Sequence, residues 1–318
     1  MAEKVLWYFD THIDELHTFN TPTFQNLVRR ADVVYMELVR QEYIPYSFYE
    51  ELEQNWNDCL RTGDFSQVIV PNSWRIMSLL RKVQGKKLII EKGDPPEFDH
   101  SDMLYRSIDC FFTGSLEEAY ITSSHCFKRV YDYHRLRERK VGDDITRTSG
   151  TVLVTFGGAH EDSLVSCVNG ETPYEVHHPY TNWGTFPGKE IFHIMSQGED
   201  PTQRILFQNA MHAVMETWIG DICPHFSNNE RRIVVGQYIS LPHDTLIGLR
   251  ERVLQRRERI VNGTKQSGRR NSLTSREYAN NALRRLPRSV LNEFCRAENI
   301  PNVEELLEQK PSLLEGAS

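Results

Sequence analysis

The sequence predicts an α/β protein: a mainly parallel β-sheet flanked by helices, with an α-rich C-terminal extension. Three observations predict it. Four short apolar runs, Lys4–Phe9, Asp32–Met36, Lys86–Ile90 and Thr151–Phe156, are nearly continuous rather than alternating, which is how strands covered on both faces read. The stretches between them are long enough for helical crossovers. Towards the end the chain becomes strongly charged and is punctuated by Pro287, Pro301 and Pro311, a pattern of small helices. With 318 residues, 39% of them hydrophobic and 25% charged, and a mean hydropathy of −0.52, the chain has the makings of one large core or two ordinary ones.

Taken in order, the first crossover, Phe19–Arg30, places Phe24, Leu27 and Val28 on one helical face. Ser47–Leu60 and Ser73–Gln84 are further helices by pattern. Ser115-Leu116-Glu117-Glu118 carries a helix-start signal, with Ser115 as the cap and Glu118 three residues on, and opens a long helix to about Lys140. Glu171–Gly188, rich in Pro, Gly, Asn and aromatic residues, reads as a long ordered loop. Pro201–Gly220 reads as a helix with Ile205, Leu206, Ala213, Val214 and Trp218 on its apolar side, Arg232–Leu241 as a fifth strand, and Thr245–Val261 as a charged helix. Residues 1–262 therefore form the expected α/β domain, with 263–275 a basic linker and 276–318 a small helical segment. No internal repeat is evident.

Composition excludes several function classes. Thirty-seven basic against 44 acidic side chains give a net charge of −7, which is not a basic nucleic-acid coat. Twelve basic and three acidic residues between Arg250 and Arg288 form a local basic stretch, read as a solvated helix face. No nucleic-acid partner is expected; a small-molecule or peptide substrate is, and homo-oligomerisation is compatible with the sequence. No apolar stretch approaches the 18 or so residues of a membrane-spanning helix. Val5-Leu6-Trp7-Tyr8-Phe9 is too short for a signal-peptide core and runs into Asp10, so the expected location is cytoplasmic. Cys59, Cys110, Cys126, Cys167, Cys223 and Cys295 are scattered without a C-x-x-C pair and read as reduced, mostly buried thiols. There is no G-x-G-x-x-G, Walker or G-x-S-x-G motif, which argues against a nucleotide fold and a serine α/β-hydrolase.

The chemistry sits at strand ends. The first run leads into Asp10-Thr11-His12, the second into Glu37-Leu38, the third into Glu91-Lys92-Gly93-Asp94, and the fourth into Gly157-Gly158-Ala159-His160-Glu161-Asp162. In a parallel sheet all carboxyl ends point one way and ligands bind outside them. His12, Glu37 and His160 should therefore converge, with Asp10, Glu91 and Asp162 as secondary candidates. Imidazoles with carboxylates serve general acid–base chemistry, a divalent metal, or both. Taken singly, a salt bridge explains Glu37 and an Asx-turn explains Asp10. Gly157 and Gly158 would permit unusual backbone angles or a close approach. Glu175, His177 and His178 offer a lid or a further ligand, though a surface loop is the simpler reading; His125, His134, His193, His212, His225 and His243 show no ligand spacing together and default to structural roles.

The strand–His12–helix–Ala31-Asp32-Val33-Val34-Tyr35-Met36-Glu37-Leu38 segment, with Val152-Leu153-Val154-Thr155-Phe156-Gly157-Gly158-Ala159-His160 later, resembles the Tiki/TraB/ChaN-like superfamily, which includes the erythromycin esterases. The resemblance covers roughly residues 4–170. It implies an α/β domain and a hydrolase of peptide or ester bonds. The Tiki branch implies a metallopeptidase using a divalent ion such as Mn, Co or Zn; the esterase branch implies a metal-free enzyme with His as base. Some relatives bind haem, so a non-enzymatic haem, metal or small-ligand-binding protein is the alternative. By position His12, Glu37 and His160 form the catalytic and metal-binding set, and the family's helical arginine falls on Arg135, Arg137 or Arg139, with Arg139 preferred. The first motif, Phe9-Asp10-Thr11-His12, lacks the family glycine, and its carboxylate stands two residues before the histidine rather than three.

Overall fold

The computed structural model describes residues 2–10, 19–38, 45–66, 68–70, 74–92, 100–168, 172–179, 187–222, 228–266, 288–299, 301–302 and 305. Its centre is an all-parallel five-stranded sheet of order β3-β2-β4-β1-β5, formed by β1 (Ala2–Asp10), β2 (Val33–Met36), β3 (Lys87–Ile90), β4 (Gly150–Gly157) and β5 (Tyr174–His177). The register pairs Asp10 with Gly157, and Met36 with both Thr155 and Ile90, so the ends of β1 to β4 share one rim. The four expected strands are all present, and continuous apolarity has the expected cause. Leu6, Tyr8, Val34, Met36, Leu88, Ile90 and Leu153 enter one core, while Val5, Trp7, Phe9, Tyr35, Val152, Val154 and Phe156 enter another on the opposite face.

The helices are α1 (Pro22–Arg30), α2 (Tyr46–Thr62), α3 (Trp74–Lys82), α4 (His100–Asp109), α5 (Leu116–Arg147), α6 (Glu161–Cys167), α7 (Pro187–Ser196), α8 (Gln203–Ile222), α9 (Asn228–Ile239), α10 (His243–Gln266) and α11 (Arg288–Glu298). Thr21 caps α1 by accepting from the Phe24 amide at 3.1 Å, and Gly63, at φ +74°, ends α2 in the left-handed conformation. The Ser115 signal is realised at the start of α5: its hydroxyl accepts from the Glu118 amide at 3.3 Å and donates to the Glu118 carboxylate at 3.0 Å. Along edge strand β3, Asn57 of α2 bonds both the Leu88 carbonyl and amide, at 2.8 and 2.9 Å, and Glu53 accepts from the Ile90 amide at 2.7 Å. Side chains of one helix thus stand in for a further strand and blunt that edge.

The chain divides into two compact units, Met1–Glu97 with Tyr131–Trp183, and Phe98–Val130 with Gly184–Ser318. The first contains the sheet. The second is helical among its described residues, with Phe111 set edge-on to Phe207 at 5.5 Å and the buried Arg250 donating to the carbonyls of Phe111 and Gly114 at 2.6 and 2.7 Å. No helix among the described residues is long and apolar enough to cross a membrane. Cys59, Cys110, Cys126, Cys167 and Cys295 are free thiols, and Cys223 lies outside the described residues.

Several expectations are corrected. Arg232–Leu241 is not a strand: α9 covers it up to Ile239, with Val234, Val235, Tyr238 and Ile239 buried at helical spacing. A short β-branched run fits either element by periodicity, and packing decides. The fifth strand lies instead at Tyr174–His177, inside the stretch read as a loop, where a four-residue edge strand paired only with β1 is obscured by Pro173 and Pro179. Helices α4, α6 and α7 have no counterpart among the expected elements, and α5 continues past Lys140 to Arg147. Helix α10 runs through Gln266, so the first part of the expected linker is helical; residues 267–287 lie outside the described residues.

Candidate functional site

Strand alternation explains which strand-end residues meet. Tyr35 faces the core that contains Phe156, so Glu37, two residues on, continues that face; Glu91 follows Ile89 in the same way. Glu37 and Glu91 are buried, 5% and 3% exposed. β4 ends at Gly157, the chain makes one 3-10 turn, Gly158–His160, and α6 begins at Glu161. Neither Gly157 nor Gly158 has a positive φ, so the expected conformational freedom is not what the turn uses. Helix α5 lies over this face through Val141 and Ile145, and the turn preceding them brings His134, Arg137 and Glu138 inward.

Two linked clusters result. In the first, Arg137 donates through Nε and Nη2 to the two oxygens of Glu91, and through Nη2 to Glu37 Oε1 at 3.1 Å. Glu37 Oε2 accepts from the Gly157 amide at 2.7 Å, Glu91 Oε2 accepts from the Leu38 amide at 3.0 Å, and the guanidinium lies 5.1 Å from the centre of the Phe156 ring. Burial alone would lower the Arg137 pKa, but Glu91 and Glu37 outweigh it and hold the guanidinium protonated, its pKa raised.

In the second cluster, His160, buried, has Nδ1 2.7 Å from Glu138 Oε1, its ring 4.3 Å from that of His134, and Phe156 edge-on at 5.3 Å. One ligand atom each from His134, Glu138 and His160 lie within 4.8 Å of one another. Glu138 Oε2 is buried with no hydrogen-bond partner among the described residues. The clusters touch at Glu37 Oε1, 3.7 Å from His160 Nε2. Glu37 and Glu91 thus face the Arg137 guanidinium, while Glu138 faces the His160 imidazole. Burying a carboxylate without a compensating partner is costly.

The structure therefore brings together Glu37, His160 and Glu91 of the expected residues. His12 lies outside the described residues. Asp10 is fully buried at the end of β1, and Asp162 is exposed in the first turn of α6. The arginine is corrected: Arg139 is exposed and Arg137 enters the site. His134, read as structural, and Glu138 were missed. Their signal is the i, i+4 spacing on a helix whose buried positions Val130, Val141 and Ile145 share the same stripe. His177 and His178 pair with Glu175 and Glu161, each at 3.1 Å, and do not join the cluster. The chain matches no protein-family model, no curated protein and no solved structure.

Proposed function

We propose that this rim is the active centre of a hydrolase of peptide or ester bonds that takes a divalent cation on His134, Glu138 and His160. The observation that carries the reading is the buried His134–Glu138–His160 group, with Glu138 Oε2 lacking a hydrogen-bond partner among the described residues. Two imidazoles and a carboxylate are a donor set that suits Mn, Co or Zn and leaves coordination positions open. A divalent cation there supplies Lewis-acid polarisation of a carbonyl and acidifies water towards a pKa of about 7. The protein's own residues set the stage. His134 and His160 would present ring nitrogens and Glu138 a carboxylate oxygen to the ion. Glu37, fixed by Arg137 and the Gly157 amide, is held as an acceptor beside His160 Nε2. The strand-end motifs that resemble the Tiki/TraB/ChaN-like superfamily point the same way, and His12 remains in the proposed set.

A second reading has its own observation. The 2.7 Å contact of His160 Nδ1 with Glu138 favours a ring with its proton on Nδ1, leaving Nε2 as a metal-free general base. Elemental analysis of the full chain, followed by assay against a peptide and ester panel with and without chelator, separates the two. The expected result is one bound divalent metal, with hydrolysis lost on chelation and reduced about 100-fold or more in Glu138→Gln, His160→Ala and His12→Ala. Hydrolysis that survives chelation selects the metal-free base. Bound metal without turnover leaves a binding protein, and parental activity in His160→Ala removes both hydrolase readings.

A further inference from the structure

Glu91 is not in the His134–Glu138–His160 group, yet it is among the most constrained side chains of the rim. Standing at the end of edge strand β3, 3% exposed, it takes Nε of Arg137 on one oxygen, and Nη2 together with the Leu38 amide on the other. Leu38 follows Glu37, which the same guanidinium binds and which in turn accepts from the Gly157 amide, three residues before His160. One continuous hydrogen-bonded path, Glu91–Arg137–Glu37–Gly157, therefore ties β3, β2 and β4 to a single point on α5.

That point is placed where it matters. Arg137 lies three residues after His134 and one before Glu138. A helix advances about 1.5 Å and turns about 100° per residue, so a slip of one residue would carry both donors away from His160. The apolar contacts of Val141 and Ile145 hold the helix against the sheet, but hydrophobic contact is not directional. A two-pronged arginine–carboxylate pair is. We propose that Glu91 is a positioning residue: acting through Arg137, it fixes the rotation and axial register of α5 so that His134 and Glu138 face His160. The inference rests on the reading of that group as a cation site.

The test is Glu91→Gln in the full chain, with Glu53→Gln as control, because Glu53 also caps β3 through the Ile90 amide without touching Arg137. Cobalt(II) affinity is measured by calorimetry and visible absorbance, alongside thermal stability and the imidazole 15N resonances of the metal-free protein. Glu91→Gln is expected to weaken cobalt binding about 10- to 100-fold, the usual range for an outer residue that orients ligands, and to shift the His160 signals. Glu53→Gln is expected to lower stability and leave cobalt affinity unchanged. A double variant with Arg137→Met should bind no more weakly than the weaker single variant, since the two act as one unit. Parental cobalt affinity and unshifted His160 resonances in a folded Glu91→Gln protein would overturn the proposal, as would an equal affinity loss in the control. Where Glu91→Gln does not fold, Glu91→Asp, which keeps the charge and shortens the reach, is read in the same way. Should the parent itself bind no cation, the cation reading of the site fails, while the metal-free imidazole signals still decide whether Glu91 sets the helix register.

Discussion

On one face of the sheet, Leu6, Tyr8, Val34, Met36 and Leu153 meet the apolar sides of α1, α2 and α3. On the other, Trp7, Phe9, Tyr35, Val154 and Phe156 meet α5 and α6. The same strands supply both faces, yet they handle polar groups differently. The first face is packed with apolar and aromatic side chains, and its polar groups are peripheral ties: Trp56 donates to the Lys86 carbonyl at 2.9 Å, Asn57 and Glu53 bond the backbone of β3, and the Tyr8 hydroxyl lies 3.3 Å from that of Thr21. The second ends in Glu37, Glu91, Arg137, Glu138 and two histidines, all buried or nearly so. Apolar burial stabilises in proportion to area, whereas a buried ion pair is at best neutral against a well-packed apolar substitute. The second face is therefore not explained by stability. Its polar groups are what the proposed cation site would account for.

Arg137→Met, on the polar face, should show the largest effect. It leaves Glu37 and Glu91 buried without their cation, and a loss of about 3–5 kcal/mol is expected by denaturant unfolding at neutral pH. Leu79→Ala, fully buried on the apolar face, should cost about 2–5 kcal/mol through its cavity. The two differ in pH dependence. The Arg137→Met penalty should shrink as pH falls from about 7 to about 4, because a protonated carboxyl is cheaper to bury, and the Leu79→Ala penalty should stay constant. A pH-independent Arg137→Met loss would mean that the two faces do not differ in kind.

The contrast also explains what could be read from sequence. Strands β1 to β4 were legible because a strand covered twice is apolar on both faces, as residues 5–9, 33–36, 88–90 and 152–154 are. Glu37, Glu91 and His160 were legible because each polar residue closes an apolar run. The helical half of the site was not. Arg135, Arg137 and Arg139 are identical in type, and neighbours in this series are separated by about 200° around a helix. Only the phase set by Val130, Val141 and Ile145 selects Arg137, and in a helix of 32 residues that stripe is diluted by charge. β5 escaped notice for the opposite reason: as an edge strand its pattern is partly exposed, and Glu175 and His177 occupy positions that a central strand would fill with hydrocarbon.

A smaller effect is expected where α5 and α6 approach each other. A methyl group on Gly142 would stand 2.9 Å from Cys167 Cβ and 3.2 Å from its carbonyl oxygen. Overpacking of this kind costs about 1–3 kcal/mol, while the helical preference of Ala over Gly returns about 1 kcal/mol. A net loss of about 1 kcal/mol is therefore expected in Gly142→Ala. Since α6 begins one residue after His160, the imidazole resonances should move as well. Unchanged resonances in Gly142→Ala would show that the polar face tolerates displacement of the helix that follows His160.

The smallest effect tests whether a dense cluster of charges matters when it is in water. Glu175 on β5 takes Arg30, Lys4 and His177, the last two at 2.6 and 3.1 Å, and these hold its carboxyl well below the usual carboxylate range. A carboxylate depressed in the folded state contributes stability at neutral pH that is lost as pH falls through the carboxylate range. Glu175 is 32% exposed, however, and solvent screens its partners, so Glu175→Gln should cost under about 1 kcal/mol at pH 7. The variant and parental stabilities should converge in acid, and the difference should fade in about 1 M salt. A loss as large as that of Arg137→Met, or one indifferent to salt, would mean that charge number rather than burial governs the cost. The division between the apolar and polar faces would then need another cause.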